Sequence, residues 1–409
     1  MRNLCWLGLL TLAMAANAAN AQIVTTEPGN YETPISTSPE ITIPEFMIDD
    51  ETTKNKEFSA PEPSPIDKET KLETDSLFVD NACKDCCQNC WHDMHIMKWT
   101  SARPDGHAPA GVMGDHTHHA GEFMVGYAFM HMQMAGNRIG TTRLTPEQVL
   151  NRGYVATPTD MIMQMHMLNF MYAPTDNLTL MLMVPIHERW MDHITRTGAR
   201  FRTRSSGIGD LQVFGLWKIY DNHRQRVHLN LGMAFPTGQL NHRDAIPGNP
   251  DAILPYPMQL GSGTFDLLPG LTYLGQTDCW SWGVQTLGTI RLGENYRDYR
   301  RNHDWTATGW VARKWTSWMS TSFRLQGSVW GDFAGADPNL NPNIISTTDP
   351  DLRGGDRIDA FIGMNLYVPK GCLKNFRVEI EAGTPIYQNL DGPQLENDWN
   401  LTAVVQYSW

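Results

Sequence analysis

From Glu122 to the C-terminus, apolar side chains recur at every second position in segments of roughly ten residues, the length of a tilted membrane-crossing strand. Leu178, Leu180, Leu182, Val184 and Ile186 alternate with Thr179, Met181, Met183 and Pro185. Val227, Leu229, Leu231, Met233 and Phe235 do the same against His228, Asn230, Gly232 and Ala234, as do Phe376, Val378 and Ile380 against Arg377, Glu379 and Glu381. A period of two gives each strand one apolar face and one polar, small or charged face. Membrane-crossing helices are excluded for this region. A helical span needs about 20 consecutive apolar residues, and the mean hydropathy of the chain is -0.38.

The alternation predicts twelve strands, near 122–134, 160–172, 178–190, 208–220, 226–237, 263–275, 281–293, 304–315, 319–332, 356–368, 376–388 and 397–409. A soluble sandwich also alternates, so the connections decide. Those after the even-numbered strands are short (APTDN, DNHRQ, QTDCWS, KWTS, PKGCLKN), and most of the others are long, as at 135–159, 238–262 and 333–355. Short turns at one rim, long loops at the other and an even strand count predict an all-β fold: a transmembrane antiparallel β-barrel of the outer-membrane type over residues 122–409. Apolar residues around Ile253 to Pro257 leave room for one extra strand pair within 238–262.

The last strand, LTAVVQYSW, carries Leu401, Ala403, Val405, Tyr407 and the terminal Trp409 on one face. It looks like the signal read by the outer-membrane assembly machinery, which makes that machinery and outer-membrane lipid the expected partners. Trp217, Tyr220, Tyr273, Trp280, Trp315 and Trp318 lie near strand ends, where interfacial girdles form. Ser206-Gly207-Ile208-Gly209-Asp210-Leu211, followed by Phe235-Pro236-Thr237-Gly238, resembles the outer-membrane transporters associated with the meta pathway of phenol degradation, over roughly residues 107–409. That resemblance implies a pore for aromatic solutes and transfers no site residue.

Residues 1–21, with Arg2, an apolar stretch from Leu4 to Ala16 and Ala19-Asn20-Ala21, read as a secretory signal peptide. Residues 22–82 are rich in Pro, Thr, Ser and Glu, and hold 14 acidic and 4 basic side chains. Such a stretch cannot bury enough apolar surface to offset its ordering entropy and reads as a disordered acidic linker. It accounts for most of the net charge of -12. The acidic balance excludes nucleic-acid partners, which demand clustered Lys and Arg. The expected location is the outer membrane, with the N-terminal region in the periplasm.

Eleven of the 22 Met lie between Met124 and Met183. Met161, Met163, Met165, Met167 and Met171 share one face, against Ile162, Gln164, His166, Leu168, Phe170 and Tyr172 on the other. The aliphatic and aromatic face suits lipid, so the Met face is expected to line the lumen. Met130, Met132, Met161, Met163, Met165, Met167, Met181 and Met183 then form a thioether path, which either coordinates soft ions such as Cu(I) or fills an irregular apolar interior.

Residues 83–121 form a Cys/His/Met-rich periplasmic segment, a candidate plug or metal site. Cys83, Cys86, Cys87 and Cys90 fall on one face of a helix, with His92 and His95 close behind. This pattern fits a soft-metal site or, in an oxidising compartment, a pair of disulfides. His107 and the run Asp115-His116-Thr117-His118-His119 follow. His116, His118 and His119 beside Asp115 offer imidazole ligands for Cu(II) or Zn(II).

No nucleophile elbow, zincin helix or phosphate loop is present in the sequence, and no enzymatic activity is expected. The sequence points to an outer-membrane channel or transporter that handles soft metal ions such as copper, served by a periplasmic metal carrier. The alternatives are a pore for small hydrophobic or aromatic solutes and a non-transporting, metal-sequestering barrel.

Overall fold

The computed structural model describes residues 99–409. The signal peptide, the acidic linker, Cys83, Cys86, Cys87, Cys90, His92 and His95 lie outside the described residues. Among the described residues no helix is long and apolar enough to cross a membrane.

The strands are β1 (Phe123–Gly140), β2 (Thr142–Leu144), β3 (Ala156–Thr175), β4 (Leu178–Thr195), β5 (Arg200–Ile208), β6 (Leu211–Asn222), β7 (Gln225–Phe235), β8 (Arg243–Ile246) and β9 (Asn249–Ile253). They continue with β10 (Phe265–Gln276), β11 (Trp280–Leu292), β12 (Tyr299–Arg300), β13 (Asp304–Lys314), β14 (Met319–Trp330), β15 (Ala334–Gly335), β16 (Gly355–Tyr367) and β17 (Phe376–Ser408). Eleven of them close an antiparallel ring in the order β1, β3, β4, β6, β7, β10, β11, β13, β14, β16, β17, and β17 pairs back onto β1. β2 and β5 lie off that ring, on β1 and β4.

β17 is 33 residues long and crosses the wall twice. Arg377 to Leu390 pairs with β16, and Leu390 to Ser408 pairs with β1, from Gly140↔Leu390 to Met124↔Ser408. The predicted final pair of strands, 376–388 and 397–409, is thus one continuous hairpin. A second difference lies beside β4, which pairs with β6 near the chain ends and with β5 farther out. The break between them falls at Gly209-Asp210, where the Gly209 amide bonds the Pro185 carbonyl at 2.9 Å instead of continuing the ladder. The extra pair suspected within 238–262 is β8 and β9, which form a small separate sheet.

Side-chain alternation maps onto the wall as the sequence suggested. Val125, Tyr127, Leu168, Phe170, Leu180, Leu182, Val284 and Phe323 are exposed on the outer face, while Met124, Ala128, Met167, Met171, Met181 and Phe214 are buried inside. Apolar residues facing outward on every strand need a hydrocarbon surround. Trp217, Tyr220, Trp280, Trp315, Trp318 and Trp409 are exposed at the rim that holds the chain end and the short turns, as an interfacial girdle requires.

The motif around Gly209 has a structural task. The Asp210 carboxylate accepts the amides of Gly238 and Ser262 at 2.9 and 2.6 Å, and Thr237 Oγ1 donates to the Gly209 carbonyl at 2.7 Å. Gly238 and Gly261 abut backbone to backbone, leaving no room for a Cβ on either. These contacts turn the 236–264 connection inward, so that Leu240, Leu254, Tyr256, Met258 and Leu260 are buried.

Candidate functional site

Residues 99–121 precede β1 and run inside the ring, held by inward-facing side chains from strands on all sides. The Gly114 carbonyl meets His228 Nε2 at 3.0 Å and Asn230 Nδ2 at 2.7 Å, both on β7. Gln285 on β11 donates to the Met113 carbonyl at 3.0 Å, and Asn365 on β16 to that of Ala108 at 3.3 Å. On β17, Arg377 donates to the carbonyls of Ser101, Arg103 and Pro104, each at 2.9 Å. An irregular segment has few internal backbone bonds, and these wall side chains supply the partners its buried carbonyls need. Gly114 has φ +64°, and a Cβ there would press on Asn230, so the bend depends on glycine.

The strongest tie is ionic. Glu381 takes a two-pronged bond from Arg324 at 2.9 and 2.8 Å and also accepts the Gly111 amide at 3.0 Å. Both charged side chains are almost fully buried. Glu379 and Glu381, on the charged face of their strand in the sequence alternation, face inward and are paired with Arg377 and Arg324.

The segment also folds on itself. His107, Asp115 and His116 come together, with one candidate ligand atom from each within 4.8 Å of the others. His116 Nδ1 lies 2.7 Å from Asp115 Oδ1, and Asp115 Oδ2 accepts the Ala108 amide at 2.7 Å. The His107 and His116 rings stack at 3.8 Å between centroids, and the His118 ring stands edge-on to His116 at 4.9 Å. His107 Nδ1, His116 Nε2 and His118 Nε2 are buried and have no hydrogen-bond partner. A cavity of 220 Å³, lined among others by Trp99, His107, His118, Arg226 and Arg377, reaches this cluster from the side of the C-terminus and the short turns.

Burial, assisted by the charge of Arg377, holds His107 well below the usual histidine range. Burial also lowers His118, against the pull of Glu122. For Asp115 burial acts upward, but the charge and hydrogen bond of His116 and the Ala108 amide outweigh it and keep the carboxyl low. A neutral His107 beside an ionised Asp115 is in the protonation state that metal ligation requires. His119 does not join: it is exposed and lies 3.5 Å from Asp176.

The predicted thioether path faces the lumen and forms two groups. Met167, Met171, Met181 and Met183 pack with Ala110 of the inserted segment, Phe214 and Leu216, and Met113 and Met165 border them. Met161 and Met191 pack with Leu254 and Met258 of the inturned connection, flanked by Met134 and Met163. Register pairs Met130 with Met165 and Met132 with Met163 across β1 and β3. In this state the methionines act as packing between wall, segment and loop, a use that suits their flexible side chains.

Beyond the Met packing, toward the long loops, lies a lumen chamber of 330 Å³. Met134, Met161, Met163 and Met191 line it together with Arg189, Arg291, Arg301, Arg353 and Arg357 and with Tyr256, Trp330 and Phe333, and Arg189 lies directly across from Met163 in the β3–β4 register. Sequence reasoning missed these arginines. Arg189 was readable, since it shares the inward parity of Met181, Met183 and Met191. The others sit on long connections or on less regular strands, where no period marks them.

Cys279 and Cys372, each in a short turn between strands, do not pair with each other: Cys372 is free and exposed, and Cys279 is disulfide-bonded. Of His116, His118 and His119, the expected ligands beside Asp115, His116 lies with His107 and Asp115, His118 stands edge-on to His116, and His119 is apart.

The fold is similar to the crystal structure of an outer-membrane channel from Pseudomonas putida F1, at 12% identity and a TM-score of 0.51, covering 73% of this chain and 99% of that one. It is also similar to a Pseudomonas aeruginosa FadL homologue (12% identity, TM-score 0.33, 70% and 89% covered) and to the KdgM porin (11% identity, TM-score 0.34, 70% and 99% covered). No family model matches the sequence, and no curated protein matches it. The first likeness establishes the fold, an outer-membrane β-barrel. The resemblance to the meta-pathway transporters rests on its motifs.

Proposed function

We propose that this protein is an outer-membrane channel or transporter closed by residues 99–121, and that a transition-metal ion binds that segment through His107 and His116, with Asp115 holding the His116 ring. The observation that carries the reading is the group of three buried ring nitrogens without a hydrogen-bond partner, His107 Nδ1 standing 4.0 Å from Glu379, beside a carboxylate already oriented by an amide. Imidazole donors suit Cu(II) or Zn(II). An ion there would fasten two turns of the inserted segment to each other. The C-terminus and the short turns face the periplasm in this reading, so the 220 Å³ cavity gives periplasmic access, where a metal carrier would dock.

Cys83, Cys86, Cys87, Cys90, His92 and His95 extend the reading to softer ions, since thiolates and thioethers suit Cu(I). Metal would be captured upstream and passed to the histidines. The test is planar-bilayer conductance of the full chain with Zn(II), with chelator, and after deletion of residues 99–121. Deletion is expected to open the barrel, and Zn(II) to lower the open probability of the full chain only. A deleted chain that conducts no more than the full one would contradict closure by this segment.

A further inference from the structure

The lumen chamber has a charge pattern that the closure of the barrel does not use. Five guanidinium groups line it, and the lining includes one carboxylate, Asp304, which is taken by Arg291 at 2.8 Å. Arg357 is paired with Asp359 at 2.8 Å. Among the described residues, no carboxylate lies within ion-pair distance of Arg189, Arg301 or Arg353. Arg189 donates to the carbonyls of Pro257 and Gln259 at 2.6 and 2.9 Å, Arg301 to that of Gln259 at 2.9 Å, and Arg353 to that of Ser346 at 3.1 Å. The Nε of each is buried and has no partner.

Arg189 and Arg353, which are buried, and Arg301, which is half-buried, donate only to neutral carbonyls and are undercompensated, because a charge withdrawn from water calls for an opposite charge as well as hydrogen bonds. Burial lowers Arg353 to about 10, so it is still charged at neutral pH. Holding loops alone does not call for three arginines, since a carbonyl can be satisfied by any neutral donor. The lining also holds thioethers and aromatic rings, with Met163 across from Arg189 and the Trp330 ring under Arg357, and 330 Å³ is within the roughly 300–1,000 Å³ of small-molecule sites.

We propose that this chamber binds a small organic anion with a flat apolar body, a carboxylate on a single aromatic ring. The carboxylate meets guanidinium donors in the two-pronged geometry that arginine favours, and the ring lies against Met161, Met163 and Trp330. A bare cation is repelled at this point. The proposal rests on the channel reading only for how the solute enters and leaves; binding itself does not require passage.

The test uses the full chain in detergent, with benzoate as probe and benzamide and inorganic phosphate as controls, followed by calorimetry and by tryptophan fluorescence. Benzoate is expected to bind at least about tenfold more tightly than benzamide, the size of one charge-assisted contact, and to exceed phosphate by a similar factor. Arg301→Gln is expected to weaken benzoate by about tenfold and leave benzamide unchanged. Should that variant not fold, the comparison of the three probes on the unaltered protein still decides. Equal binding of benzoate and benzamide, or no binding of benzoate, overturns the proposal, and phosphate binding as tightly as benzoate overturns the apolar half of the site. Vesicles that take up small neutral sugars through the protein while benzoate fails to bind would sink the chamber and spare the channel. Benzoate binding without any solute uptake would sink the channel and spare the chamber.

Discussion

His116 places its Nδ1 2.7 Å from Oδ1 of Asp115, and the second oxygen of that carboxylate accepts the Ala108 amide. A carboxylate fixed in this way sets the ring orientation and leaves Nε2 facing the cluster, the arrangement by which outer contacts tune a metal-binding imidazole.

Asp115→Asn preserves the shape but removes the charge. The expected result is a 10- to 100-fold loss of Zn(II) or Cu(II) affinity, the usual cost of disturbing a histidine-orienting carboxylate. Competition titration with a chromogenic chelator measures it, and unaltered affinity would remove Asp115 from the site.

The inserted segment hangs on Glu381, which serves both Arg324 and the Gly111 amide. Glu381→Gln leaves Arg324 buried without its partner, at an expected cost of about 3–5 kcal/mol. Thermal unfolding of the detergent-solubilised protein should show the loss. Gly111→Val acts on the same point by another route, because a Cβ there collides with both Arg324 and Glu381. It should make residues 99–121 susceptible to protease while the heat-modifiable gel migration of the barrel persists.

Acid should loosen the segment in metal-free protein. Burial holds His107 and His118 below the ordinary histidine value, so below about pH 6.5 a released segment binds more protons than a seated one, and seating weakens as pH falls. Asp115 and Glu122 are lowered, Glu122 to about 2 chiefly by its bond from His118, so their support is intact until about pH 4.5 and does not offset the histidines above that. Hydrogen exchange at residues 99–121, compared at pH 7.5 and 5.5 with chelator present, should show lower protection at 5.5. Equal protection would mean that the histidines are not held neutral.

The methionine packing should tolerate shape-preserving change. Met171→Leu is expected to cost under about 1.5 kcal/mol and Met171→Ala about 2–5 kcal/mol, since Met171 is buried among Met124, Met181 and the inserted segment's neighbours. Thermal unfolding of the two variants separates packing from a purely ligating role, in which both would leave stability unchanged.

The barrel was legible because a wall that faces lipid outside and side chains inside imposes a period of two, and ten of the predicted strands coincide closely with strands of the ring. The final hairpin was read as two strands because the bend near Leu390 to Gly392 looks like a loop in sequence, although the hydrogen bonding runs through it. The Met face was assigned correctly from Phe170 and Tyr172, which belong in lipid. The site was only half legible. Asp115 and His116 are neighbours in sequence, but His107 joins them through a fold of an irregular segment, and nothing periodic marks such a fold. Arg301 and Arg353 reach the chamber from long connections, whose path is set by tertiary contacts such as Asn295 with the Ser262 carbonyl and the Arg353 amide with Asp332.

The most direct measurement is the stoichiometry and affinity of Cu(II) for the full chain, read by electron paramagnetic resonance and by quenching of Trp99 emission, in a background where Cys83, Cys86, Cys87 and Cys90 are serine. One Cu(II) per chain with nitrogen hyperfine structure is expected, and it should be lost in the His107→Ala, His116→Ala double variant while the barrel stays folded. Equal copper binding in the double variant, or none in its parent, would contradict a metal site in the inserted segment.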